Sequence, residues 1–293
     1  MLLLGNCVFA QQMPFIFVPG GPTNVQMIIQ DHLGRLWIGG SKDVACFDGS
    51  RFYSMREFGM QQAAVRAITE DSEEAIWIGS SVGLYRFQRS ILTRVLDSST
   101  TFVAASSGIT LAVGAYRGSQ QLSLVRIQRN GSEWKTDKIM DVNWPGPVRM
   151  DHAGTLLIGH NGGWGEASMN EINAWHGGSP IRLTMHESVK RLGITYVRDR
   201  FGCLWWRTSA FTSYQCPGDE ERTELPGFSF VGNPNGGINF SEAADGAMIF
   251  VNNGTLVMGR PGKFRMVTAA QGFPNVGLSI ARMKPESWWN WSR

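Results

Sequence analysis

Charge is scarce in this sequence: Lys, Arg, Asp and Glu make up 17% of 293 residues, and the balance is only +3. No Lys/Arg run is long enough to track a phosphate backbone, so nucleic acid is not an expected partner. Long apolar runs are also missing, and no later stretch reaches the ~18 uninterrupted apolar residues of a membrane helix. Catalytic and metal signatures are missing too. There is no His-Glu-x-x-His, no Cys-x-x-Cys and no Gly-x-Ser-x-Gly. The five histidines, His32, His152, His160, His176 and His186, do not cluster in the sequence, and His32 and His152 occupy the same position in two turns. Gly162-Gly163 and Gly236-Gly237 lie among turns rather than between a strand and a helix, which disfavours a phosphate cradle. No catalytic residue, metal or cofactor is therefore expected.

Cysteine is sparse as well. Met1–Ala10 reads as the remnant of an export signal, with Val8 and Ala10 at the −3 and −1 positions of a cleavage site. A lipoprotein reading through Cys7 is weakened by Asn6 before it. Removal of Cys7 leaves Cys46, Cys203 and Cys216, an odd set that is not a disulfide framework.

What the chain does have is glycine (35) and tryptophan (11, against 5 tyrosines), with 43% hydrophobic residues. This suits short strands and tight turns around a sizeable core. "DHLGRLWIG" at 31–39 returns as "DSEEAIWIG" at 71–79. Weaker copies centre on Ala112-Val113-Gly114, Leu157-Ile158-Gly159, Trp205-Trp206-Arg207 and Ile249-Phe250-Val251. By subtraction, the spacings are 40, 35, 45, 48 and 44 residues. That is the period of propeller blades.

The local chemistry agrees. Asp31, Asp151 and Asp199 each stand three residues before a glycine, and Asp71 stands three before Glu74. An Asp opening a turn can accept from amides two residues on, and Gly at the fourth position tolerates positive φ. Val25–Gln30 and Val65–Glu70 read as first strands, the triplets as second, Val44–Phe47 and Gly83–Phe87 as third, and Arg51–Tyr53 as a fourth. Four short antiparallel strands per period, without a helix pattern, make a blade. Trp37, Trp77, Trp205 and Trp288 are expected to fill the wedges between blades.

The expected fold is therefore all-β: a β-propeller over residues 11–293, of four-stranded antiparallel blades starting near 25, 65, 102, 145, 193, 238 and 276. Val276 lies twelve residues before Trp288, the spacing from Val25 to Trp37 and from Val65 to Trp77. The seventh blade would then stop two strands short. Phe15–Val18 could supply one outer strand, but the favoured expectation is a piece of a longer chain.

"VQMIIQDHLGRLWIGGSKDVACFDGSRF" and "VRAITEDSEEAIWIGSSVGLYRF" resemble the two-component regulator propeller repeat, as does the Gly272-Phe273-Pro274 linker. The resemblance is specific in the first two copies and moderate at 193–208. It implies an exported, periplasmic or extracellular sensor domain ahead of a membrane span and a cytoplasmic output module, most often a histidine kinase and sometimes a diguanylate cyclase. Neither span nor module is read in this sequence.

A propeller ligand is expected on the face carrying the loops between second and third strands. Those loops hold Lys42, Arg117, Asn161, Trp164, Arg207 and Asn252. "HNGGWGEASMN" (160–170), an aromatic among glycines and amides, suits a small molecule or an oligosaccharide; the alternative is a glycine-rich loop whose Trp covers a blade edge. If the fifth hairpin centres near Ser209-Ala210, Cys203 and Cys216 fall opposite one another, as a disulfide or as two packed thiols. Two further readings stay open: a stand-alone propeller enzyme acting on polysaccharide, and an interaction scaffold or dimerisation platform, homodimeric at full length.

Overall fold

The computed structural model describes residues 20–106, 109–115, 121–131, 133–142, 148–151, 153–160, 163–178, 181–186, 195–207, 212–225, 241–243, 245–252 and 255–268. The expected signal remnant and the expected seventh blade with Trp288 lie outside them. The described residues form six four-stranded antiparallel sheets, each made of consecutive strands. Sheet one is β1 Met27–Gln30, β2 Leu36–Gly39, β3 Val44–Phe47 and β4 Phe52–Ser54. Sheet two is β5 Val65–Glu70, β6 Ile76–Ser80, β7 Gly83–Gln88 and β8 Ile91–Leu96. Sheet three is β9 Thr100–Ser106, β10 Ile109–Ala115, β11 Leu122–Asn130 and β12 Glu133–Val142. Sheet four is β13 Val148–Met150, β14 Thr155–His160, β15 Gly163–Ser168 and β16 Thr184–His186. Sheet five is β17 Thr195–Arg198, β18 Leu204–Arg207, β19 Thr212–Gln215 and β20 Thr223–Glu224. Sheet six is β21 Ser241–Glu242, β22 Met248–Asn252, β23 Thr255–Arg260 and β24 Lys263–Val267. The architecture is a β-propeller.

The sheets face one another through apolar seams. Between sheets one and two lie Trp37, Val44 and Cys46 against Val65, Ile68, Ile76, Ile78 and Tyr85. Trp77 and Leu84 meet Val103, Ala112, Val125 and Ile127 between sheets two and three. Leu111, Val113 and Leu124 meet Leu156 and Ile158 between sheets three and four. Trp205 and Tyr214 meet Met248, Phe250 and Val257 between sheets five and six. Trp37, Trp77 and Trp205 are at most 1% exposed. Each indole projects forward, into the following sheet.

The triplet glycines belong to the same seams. A Cβ on Gly39 would sit 2.6 Å from Val65 Cγ1 and 3.2 Å from Ile68 Cδ1. Gly39→Ala should therefore push sheet two off sheet one and cost about 1–3 kcal/mol, measurable as a lowered urea midpoint with an unchanged slope.

Three sequence expectations need correction. The first is the third copy. Ala112 does not take the place of Trp37: it faces backward, onto Trp77, while Leu111 and Val113 face forward. The hairpin there runs from Ser106 to Ile109 without the Asp-x-x-Gly turn. A shorter turn moves the register, and a one-residue slip turns every side chain to the other face. The second is segment 160–170, which is not one loop. Gly163–Ser168 is the third strand of sheet four, paired with β14 and β16. The third is the expectation of no helix. The helix α1, Met169–Ala174, follows β15, opened by a capping box in which Ser168 and Glu171 each bond the other's backbone. A one-turn 3-10 helix, Met55–Phe58, starts with the same device at Ser54 and Glu57.

Candidate functional site

Alternating strand directions give the propeller two rims. One carries the turns from first to second strand, the other the hairpins from second to third strand and the linkers between sheets.

On the turn rim a single hydrogen-bonded unit recurs. Asp31 Oδ1 accepts the amides of Leu33 at 3.0 Å and Arg35 at 2.9 Å. Its Oδ2 accepts the Trp37 indole Nε1–H at 2.9 Å and the Arg35 Nε–H at 2.7 Å. Asp71 repeats this, with Glu73 and Ala75 amides on Oδ1 and Trp77 Nε1 on Oδ2 at 2.7 Å. Asp199 does so again, with Phe201, Cys203 and Trp205 Nε1, the last at 2.8 Å. The residue closing each of these turns has positive φ: Gly34 at 82°, Glu74 at 64° and Gly202 at 85°. The unit explains why Asp and Trp recur six residues apart: a buried indole N–H needs an acceptor, and the turn carboxylate supplies one. Sequence reading assigned the Asp to the turn and the Trp to the core, and missed the bond joining them.

Electrostatics follow from this geometry. Burial pushes the Asp31 carboxyl up, but hydrogen bonds from Trp37 and Arg35, with the Arg35 charge, outweigh it, so the net shift is downward. Where sheet four has Leu157 in place of Trp, Asp151 Oδ2 is reached instead by Arg198 Nη1 of sheet five, at 3.3 Å. Arg198 also pairs with Glu166. Other rim ties cross the seams in the same way. Glu70 accepts the His32 amide at 2.9 Å and pairs with the His32 ring, and Glu242 accepts the Arg200 amide at 3.2 Å and pairs with its guanidinium. Glu70, Arg198 and Glu242 each stand immediately before the first residue of their own turn. They reach back to the preceding sheet.

The six candidate ligand residues map onto the hairpin rim. Lys42 is exposed between β2 and β3. Its carbonyl accepts from Ala63 N at 3.2 Å, and Gly40 O accepts from Val65 N at 3.0 Å, so the linker into sheet two closes this rim's backbone. Arg117 and Asn161 lie outside the described residues. Trp164, Arg207 and Asn252 were expected in loops, and the structure corrects this. Trp164 is paired within β15, opposite Gly159 and His186. Arg207 closes β18 opposite Thr195 and Thr212, and Asn252 closes β22 opposite Thr255. The ladders run further toward the rim than the turn signals indicated.

Two hydroxyls on this rim were not anticipated. Thr212 and Ser213, at the start of β19, are 0% exposed, and their side-chain oxygens have no hydrogen-bond partner among the described residues. Replacing an unpartnered buried hydroxyl by a methyl removes a desolvation cost. Thr212→Val should leave thermal stability unchanged or raise it by about 1 kcal/mol.

Cys203 and Cys216 form a disulfide joining β18 to β19, with Cα atoms 3.9 Å apart. The bridge closes a short loop, and its removal by Cys203→Ala with Cys216→Ala should cost about 2–4 kcal/mol in chemical denaturation. Cys46 is a free thiol buried opposite Trp37, and burial pushes it up to about 11, which makes it a poor nucleophile. Among the described residues no three His, Cys, Asp or Glu side chains are grouped to hold a metal ion. None of the described helices is long and apolar enough to cross a membrane.

No family model matches the chain, and no curated protein matches it in sequence. Solved structures share its fold. The extracellular domain of a hybrid two-component system from B. thetaiotaomicron matches with a TM-score of 0.61 at 15% identity, over 89% of this chain and 36% of that one. This chain thus spans little more than a third of that domain. Virginiamycin B lyase from Staphylococcus aureus matches with a TM-score of 0.58 at 12% identity, over 84% of each chain. YCF48 bound to D1 peptide matches with a TM-score of 0.60 at 10% identity, over 86% of this chain and 84% of that one. The extracellular domain of a two-component system, a lyase and a peptide-bound protein therefore share this β-propeller architecture with the chain.

Proposed function

We propose that the chain is an exported, ligand-sensing propeller domain of a two-component signalling protein, itself non-catalytic, acting upstream of a histidine kinase or diguanylate cyclase module. The observation that carries this reading is the Asp–turn–Trp unit. The residues that resemble the two-component regulator propeller repeat are those that build it, with matching atoms in sheets one and two and again in sheet five. The likeness to the outer domain of a hybrid two-component system, which is longer than this chain, fits a sensor made of more than one such unit. A disulfide fits an oxidising compartment. The ligand is a small molecule or an oligosaccharide held on the hairpin rim by Lys42, Arg117, Asn161, Trp164, Arg207 and Asn252.

A second reading is a stand-alone propeller enzyme acting on polysaccharide; the lyase that this chain matches shows that such a fold can carry an enzyme, but the substrate in its name is virginiamycin B and not a polysaccharide. Glycoside cleavage by the usual route needs two carboxylates free to face the substrate. The buried carboxylates of Asp31, Asp151, Asp199 and Glu242 are held by indole, backbone or guanidinium groups on the other rim.

Calorimetry of the chain against a panel of polysaccharide-derived oligosaccharides tests the proposal. Point changes are the right probes, because deleting 160–170 would remove β15. Binding that weakens at least about tenfold in Trp164→Ala or Arg207→Ala supports a ligand on the hairpin rim. No binding by the unchanged chain, or new reducing ends or unsaturated sugars after incubation, overturns the non-catalytic sensor.

A further inference from the structure

First strands of successive sheets lie against one another, β1 with β5, β5 with β9 and β9 with β13, so they line the axis of the ring. Each starts at the hairpin rim and runs toward the turn rim. β5 starts with a bulge. Val65 pairs with Ser80 and Ala67 with Gly79, which leaves Arg66 as an extra residue. Side-chain directions show the effect. Val65 and Ile68 both pack in the seam with sheet one, and Ala67 packs in the seam with sheet three. Arg66 belongs to neither seam and is exposed. Among the described residues no hydrogen bond or ion pair engages its guanidinium.

Sheet three repeats the bulge. Thr100 pairs with Gly114 and Phe102 with Val113, so Thr101 is the extra residue. Thr101 Oγ1 donates to Val113 O at 3.3 Å, which leaves its lone pairs to accept. In sheet one, the 40-residue offset puts the exposed Gln26 at the place of Arg66. Three neighbouring first strands thus begin, at the hairpin-rim mouth of the axis, with an amide, a guanidinium and a hydroxyl. Closing the linker explains the bulge but not the arginine, because Thr101 fills the same place without a long cation. In these three sheets the described carboxylates of this rim are engaged elsewhere. Asp43 accepts the Val44 amide at 2.7 Å and Ser54 Oγ at 2.6 Å, and Glu57 caps the 3-10 helix at Ser54. Asp97 pairs with Arg94 at 3.0 Å and Asp141 with Lys138 at 2.6 Å.

We infer that Arg66, between Gln26 and Thr101, is a binding site for the carboxylate of an acidic sugar at the mouth of the axial channel. A guanidinium fork matches the two oxygens of a carboxylate. The Gln26 amide and the Thr101 oxygen then serve neighbouring sugar hydroxyls. The inference rests on the ligand-sensing reading and narrows its ligand to one that bears a uronate-type carboxyl.

Calorimetry of the full chain against a panel of uronate oligosaccharides, each beside its carboxyl-reduced form and a sulfated derivative of that form, tests it. At least one uronate should bind, with its reduced form at least about tenfold weaker, and sodium chloride should narrow the gap. Arg66→Ala and Arg66→Gln should each weaken uronate binding about tenfold or more, with the reduced form's affinity and the thermal melt unchanged. Arg66→Lys should recover part of the loss, because it restores the charge without the fork. Equal binding of uronate and reduced forms, preference for the sulfated form, or full uronate affinity in Arg66→Gln overturns the inference and leaves the ligand-sensing reading standing. No binding of any sugar overturns both.

Discussion

Trp37→Ala should bring the chain close to global unfolding, lowering stability by about 5 kcal/mol. Truncating a fully buried Trp costs about 3–5 kcal/mol through lost transfer energy and the cavity it leaves. Removing the indole N–H also strips the Asp31 carboxylate of one of its four donors, in a site where Asp31 is 0% exposed. A weakened acceptor in a buried site adds about 1 kcal/mol or more. Domain stabilities are themselves only about 5–15 kcal/mol, so the loss consumes much of the total. Trp37→Phe separates the two contributions. It keeps ring area against Val65, Ile68 and Ile78 but has no N–H, and should cost about 2–3 kcal/mol. Urea denaturation followed by circular dichroism reads both changes. Equal costs for Phe and Ala would mean that the hydrogen bond, and not the filled wedge, holds the seam.

Asp31→Ala is expected to be nearly as damaging, at about 3–5 kcal/mol, although it removes a small side chain from a turn. The change leaves the Trp37 indole N–H and the Leu33 and Arg35 amides without their acceptor, next to an Arg35 guanidinium that has lost its partner. Asp31→Asn is the informative comparison. Its carbonyl oxygen can still accept from the two amides, while its NH2 faces the indole donor and cannot. The pH dependence should follow the downward shift of the Asp31 carboxyl. A carboxyl whose folded pKa lies below its unfolded value stabilises fully above the unfolded value, about 3.9, and that contribution is lost as pH falls through the folded one. Wild type should thus lose stability on acidification below about pH 4, and Asp31→Asn should lose less over the same interval. Thermal melts from pH 6 to pH 2.5 would show it; parallel curves for the two proteins would remove Asp31 from the acid transition.

Much of this architecture was legible in the sequence because a propeller writes the same local problem repeatedly. Where a sheet keeps both the Asp turn and the Trp, as at Asp31–Trp37, Asp71–Trp77 and Asp199–Trp205, strand positions and the face of the indole follow from the letters. Sheet three shows the limit. Its hairpin lacks the Asp turn, and the alternation of Ile109–Ala115 is apolar on both faces, so the letters do not say whether Ala112 or Leu111 points forward. The ties between sheets were less legible. Glu70, Arg198 and Glu242 look like ordinary polar residues before a turn, and their partners His32, Asp151 and Arg200 lie 38 to 47 residues away. The hairpin rim was the least legible part. Trp164, Arg207 and Asn252 end or begin strands where glycine and polar residues suggest loops, and the pairing of neighbouring strands decides how far a ladder runs.

The junction of sheets four and five has one more implication. At the seams of sheets one and two, two and three, three and four, and five and six, an indole or aliphatic cluster fills the gap beneath any ion pair on the rim. Here Leu157 stands in for the indole, and a guanidinium bridges two carboxylates. Simple salt at moderate concentration screens partly exposed charges, and sulfate strengthens apolar contact. Ionic composition therefore moves the weak point of the ring: dilute buffer favours the charged junction, and concentrated sulfate makes it the place where the molecule first comes apart.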